Sequence, residues 1–173
     1  ADGVGTQDPR LLLSLAAAWL AHGDGLDQAA AELRLAENVT PAVREASFPD
    51  VNDWNAARFL LASELAIRQG TAAQNVSLAD QTLTVLRERR HRVKVLSSAI
   101  RLYLAAGRAP EARRCLTEYQ DEFLTQVKTS ETRAEAAYLQ AQVARAEGRP
   151  YTVIGALQSF LVIDSAQPEL WKL

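Results

Sequence analysis

The sequence predicts an all-α protein, a solenoid of about four antiparallel helix hairpins. Residue choice is the first reason: 31 Ala and 24 Leu stand against 16 Val plus Ile, a balance that favours helix over sheet. Punctuation is the second. Gly23, Gly70, Gly107 and Gly148 fall at intervals of 47, 37 and 41 residues, periods typical of stacked helix pairs. The third is the lack of any strand-like alternation of apolar and polar residues.

The elements follow in order. Asp8 and Pro9 read as a cap and first helical position, so the first helix runs from Pro9 to His22 and stops at Gly23. The second spans Leu26 to Asn38. Thr40-Pro41 restarts the chain and Phe48-Pro49-Asp50 interrupts it. A third helix covers Asn52 to Gln69, closed by Gly70, and a fourth Thr71 to Arg87. After a basic turn at Arg89 and Arg90, the fifth covers His91 to Ala106 and Gly107 stops it. Pro110 lies in the first turn of the sixth, which extends to Lys128. Ser130 caps the seventh, which runs to Gly148, and Pro150 opens the eighth, ending near Asp164. The hairpins are therefore residues 8–40, 50–87, 91–128 and 130–165 of one domain. One hairpin cannot bury both faces, whereas stacked hairpins share a core, and small Ala side chains let the helices approach. Leu170-Trp171 begins a further helix, and Met is absent even at the first position; both suggest a piece of a longer chain.

Composition excludes several classes. With 48% hydrophobic and 23% charged residues among 173, the chain has the make-up of a packed domain. Leu11–Ala21, the longest apolar run, is much shorter than the roughly 20 residues of a membrane span. Although Arg10 in front gives it some look of a secretory signal, its caps favour a buried helix. The single Cys rules out an internal disulfide framework, and two His with one Cys do not make a zinc set. Cys115 sits at helical spacing from Ala112, as a small packing residue. Neither His22 nor His91 has a nucleophile or acid placed in a recognisable motif. No catalytic residue, cofactor or metal site is expected.

The spacing within the hairpins is more specific. Ala29, Leu33, Ala36 and Pro41, with Trp19 four residues before Gly23, resemble a tetratricopeptide repeat; so do Tyr103, Gly107, Ala112, Leu116 and Tyr119. The match is degenerate elsewhere, with Asn75, Val153 and Phe160 at small-residue positions. The resemblance implies a right-handed superhelix whose first helices line a concave surface. More narrowly, DPRLLLSLAAAWLAHGDGLDQAAAELRLAE and RVKVLSSAIRLYLAAGRAPEARRCL are similar to the superhelical region of MalT-type transcription activators of the LuxR family. In that family the superhelix senses an effector or regulator beside an ATPase module and a DNA-binding helix-turn-helix. This chain has neither a phosphate-loop signature nor a recognisable helix-turn-helix, so the resemblance implies the sensing segment alone.

Charge locates the candidate surface. Residues 61–115 carry a net +6 between flanks of −5 and −3. Arg87, Arg89, Arg90 and Arg92 form the basic core of this section, suited to an anion or acidic peptide or paired with the acidic flanks. No aromatic residues interleave with them, which argues against direct nucleic-acid binding. Lys94, Ser97 and Arg101 share one face of the fifth helix, and Glu135, Tyr138, Gln142 and Arg145 a mixed stripe of the seventh. Together they would suit a carboxylate or extended acidic peptide. Leu170 and Trp171 would provide a contact for self-association or for adjacent domains of the parent chain. The function expected is non-catalytic recognition of a protein, peptide or small effector in a cytoplasmic bacterial regulator. An exported or periplasmic scaffold for an envelope or secretion complex is the alternative.

Overall fold

The computed structural model describes residues 8–86, 89–124 and 130–161. Within them it is all-helical: α1 (Pro9–His22), α2 (Leu26–Glu37), α3 (Pro41–Ser47), α4 (Val51–Arg68), α5 (Val76–Val85), α6 (Arg89–Ala105), α7 (Ala109–Leu124), α8 (Ser130–Ala146) and α9 (Pro150–Leu161), with a 3-10 turn at Ala72–Asn75 before α5. The start of α1 has a direct cause. Asp8 Oδ1 accepts the Arg10 N–H at 2.9 Å, and Pro9, which lacks an N–H, occupies the first turn.

The four turn glycines are the described residues with positive φ, between 70° and 88°. Gly107 shows what this achieves. Its N–H donates to Leu104 O at 3.0 Å and that of Arg108 to Tyr103 O at 2.8 Å, closing α6 while turning the chain into α7. Gly70 and Gly148 repeat the pattern. At the first turn, closeness matters as well: a Cβ on Gly25 would lie 2.7 Å from Trp19 Cε3.

The helix pairs α1–α2, α6–α7 and α8–α9 pack most extensively. The first helices also pack in succession, α1 on α4, α4 on α6 and α6 on α8. Thus α4 serves two cores. Trp54 and Leu65 pack with Leu12, Leu20 and Leu33 of α1 and α2. Ala56 and Phe59 join Leu96, Ile100, Tyr103, Leu116 and Tyr119 in the larger cluster of α4 to α8. Ala29, Ala36, Ala99 and Ala112 are essentially inaccessible, as close helix approach requires.

Three expectations need correction. The segment after Thr40-Pro41 forms the short helix α3, whose Val43 N–H is capped by Thr40 Oγ1 at 3.4 Å. The fourth helix does not begin at Thr71: Asn75 Nδ2 donates to Thr71 O at 2.9 Å, a local bond that accompanies the 3-10 turn. The second hairpin is consequently its weakest pair, with α4 packing more extensively on α6 than on α5. Finally, α1 is buried on one face only. Leu13, Ala16 and Leu20 are covered, whereas Leu11, Leu15 and Trp19 are each about 40% exposed. No described helix is long and apolar enough to cross a membrane.

Candidate functional site

The candidate surface is built on α6 and α8. On α6, Val95, Leu96, Ala99, Ile100, Leu102 and Tyr103 are buried, which leaves Lys94, Arg101 and Ala105 exposed on the opposite side. Ser97 is not on that open face. It is 6% exposed, and its hydroxyl donates to Glu135 Oε1 of α8 at 2.5 Å. Arg101 Nη2 donates to the same oxygen at 3.2 Å. One carboxylate thus ties both residues to α8, and part of the charge of Arg101 is answered within the protein. On α8, Arg145 is exposed, Tyr138 and Gln142 are half-buried, and Tyr138 packs with Ala134 and Leu157. Among the described side chains, the open cations of this surface are therefore Lys94 and Arg145.

Of the two readings of the basic section, Arg92 follows pairing with an acidic flank rather than an open patch. Its Nη1 donates at 2.6 Å to both Leu83 O and Leu86 O, the last turn of α5. Its Nε donates to Glu118 Oε1 of α7 at 2.6 Å. With 12% of its side chain exposed, Arg92 clamps α5, α6 and α7 together and completes the C-terminus of α5. His91 Nε2 lies 2.7 Å from Asp53 Oδ1 and links α6 to α4. Arg89 and Arg90 open α6, but their side chains, like Arg87, Leu170 and Trp171, lie outside the described residues.

Other interhelical bonds fix the register. Tyr103 Oη donates to Asp80 Oδ1 at 2.6 Å; burial, and then this bond, raise the phenol pKa well above its ordinary value. Arg113 Nε donates to Glu147 Oε1 at 2.9 Å, and that bond holds the Glu147 carboxyl below its usual range. Cys115 lines a cleft with Asp80, Arg92, Arg114 and Glu118. Its thiol is nevertheless pushed up to about 11, chiefly by burial, so it remains protonated at neutral pH. Among the described residues, no group of three or more His, Cys, Asp or Glu side chains is placed to hold a metal ion.

The sequence reading missed Glu135 as a bridge, although its position on α8 in the Tyr138–Gln142–Arg145 stripe was visible. It also missed a cleft between α2, α3 and α4 lined by Arg44, Trp54, Asn55 and Arg58 with Glu37. Comparison with protein-family models, curated proteins and solved structures found no match.

Proposed function

We propose that this chain is a non-catalytic, tetratricopeptide-like recognition domain that binds a protein segment, peptide or small effector across α6 and α8. In this reading it is the sensing part of a bacterial transcriptional regulator. The observation that carries the proposal is the succession of first-helix contacts, α1 to α4 to α6 to α8. Such a succession sets solvent-facing stripes side by side, the arrangement by which helical repeats bind extended ligands. Lys94 and Arg145 supply positive charge at its edges and Gln142 adds an amide. Tyr138 offers a half-buried aromatic between them. Glu135 holds Arg101 in place through Oε1, so the guanidinium is already ordered when a ligand arrives.

The test is a screen of acidic peptides of 6–12 residues and of small carboxylate effectors against the full chain, followed by affinities for Lys94→Glu and Gln142→Ala. Charge reversal at Lys94 should weaken a hit at least about tenfold, the equivalent of roughly 1.4 kcal/mol. Arg101→Glu is less clean, because it sets two carboxylates together at Glu135. Hits that ignore both substitutions exclude this surface, and the absence of any hit contradicts the recognition role. The regulator assignment further requires a phosphate loop upstream and a helix-turn-helix downstream in the parent gene.

A further inference from the structure

The geometry points to a second binding site, a carboxylate clamp in the cleft between α2, α3 and α4, formed by Arg44 and Arg58 with Asn55. The cleft has a volume of about 330 Å³ and lies away from the α6–α8 surface, so the inference does not depend on the preceding reading.

Three features support it. The first is an unanswered charge. Among the described residues Arg44 has no acidic partner, although residues 1–60 hold nine acids and four bases. Glu37, which also lines the cleft, is bonded to Arg58 and not to Arg44. The second is order. Its Cζ stands 5.9 Å from the centroid of the Trp54 ring, close enough for a cation–π contact. The ring is buried and braced edge-on by Phe48 at a centroid distance of 5.5 Å. Arg44 is thus aimed rather than free to sweep, which reduces the entropy lost on binding.

The third feature is the opposite wall. Asn55 and Arg58 are three residues apart on α4 and so share a face. Glu37 accepts from Arg58 Nε at 2.5 Å and is its acceptor among the described residues. The bond orients the guanidinium through one edge and leaves the Nη edge for a ligand. Two guanidinium forks with a side-chain amide match the planar pair of oxygens of a carboxylate. The occupant would be an acidic side chain or the C-terminal carboxylate of a peptide.

The test uses the full chain labelled with 15N. The Arg Nε–Hε and Trp indole signals are followed during titration with two tripeptides: acetyl-Ala-Glu-Ala-amide, and acetyl-Ala-Ala-Ala with a free C-terminus. Sodium phosphate and sodium chloride at equal ionic strength are the controls. At least one peptide should shift the Arg44, Arg58 and Trp54 signals along a saturating curve with a Kd on the order of millimolar. Whichever peptide binds identifies the source of the carboxylate. Arg44→Gln and Arg58→Gln should each weaken binding at least about tenfold. Arg44→Lys, which keeps the charge but loses the fork, should weaken it several-fold, and Asn55→Ala is a milder probe should Arg44→Gln unfold the chain. Arg133→Gln, at an exposed cation outside both surfaces, should leave the titration unchanged. Linear, non-saturating shifts, equal shifts with chloride, tighter binding of phosphate than of either peptide, or full affinity in the Arg44 and Arg58 variants would each overturn the clamp.

Discussion

Arg92→Met separates a structural role from a binding role most sharply. In the fold, this side chain makes two bonds to carbonyls at the end of α5 and one to Glu118, each at 2.6 Å. Methionine keeps much of the apolar stem and removes all three. A bond to a charged group contributes about 1.5–3 kcal/mol, and a buried carbonyl left without a donor costs about 1–3 kcal/mol. These figures overlap, and Glu118, with 42% of its side chain exposed, recovers much of its loss from water. The net expectation is a destabilisation of about 3 kcal/mol, or a Tm lower by about 6–12 °C for a chain of this length. Urea unfolding followed by circular dichroism measures the first quantity and a thermal melt the second. Amide exchange should show lost protection in Val76–Val85 before the rest, since that helix end loses its clamp. Lys94→Met, on the exposed face, should stay within about 0.5 kcal/mol of wild type. If Arg92→Met did the same, Arg92 would be a surface cation and the clamp argument would be wrong.

Three further predictions concern alkali, thiol access and chain reversal. Burial raises Cys115 from 9.0 to about 11 and Tyr119 from 10.0 to about 12, so above pH 9 the unfolded chain loses protons that the folded chain retains. Stability is therefore full below pH 9 and falls as the pH rises towards 12; Cys115→Ala should flatten the first part of the fall in Tm, and a Tm constant from pH 8.5 to 11 would refute the assignment. For the same reason a thiol reagent at pH 8 should modify Cys115 at least about a hundredfold faster in urea than in the native protein. Gly107→Ala introduces a side chain at φ 73° with nothing within 4 Å of its Cβ, so the expected loss of about 1–2 kcal/mol comes from backbone strain alone; an equal gain in stability, as for Gly→Ala inside a helix, would show that this turn is not left-handed.

What was legible in the sequence was local. The bounds of α1 follow from Asp8, Pro9 and Gly23, and the four turn glycines are those that adopt positive φ. The 3-10 turn was harder to read, because it accompanies a competing Asn75 bond to Thr71 in a stretch whose composition otherwise suits a helix. The short α3 was obscured by Pro49, which interrupts the same stretch. Site geometry was legible in part: spacing alone put Lys94 and Arg101 on one face, but the same spacing put Ser97 there too. Only the register between α6 and α8 turns Ser97 inward to Glu135. Likewise the run of arginines looked like one patch. Whether a member is exposed or clamped depends on how the end of α5 and the middle of α7 lie beside it, which no local pattern encodes. Arg44 and Arg58 line one cleft because parts of α2, α3 and α4 border it together, a relation of tertiary packing.

The central claim, that α6 and α8 together present a recognition surface, is tested most directly by the affinity of one acidic peptide ligand for wild type and for Lys94→Glu. The two proteins should unfold at the same urea concentration, so that any difference reflects binding alone. A loss of at least about tenfold with unchanged stability is predicted; equal affinity would contradict the claim.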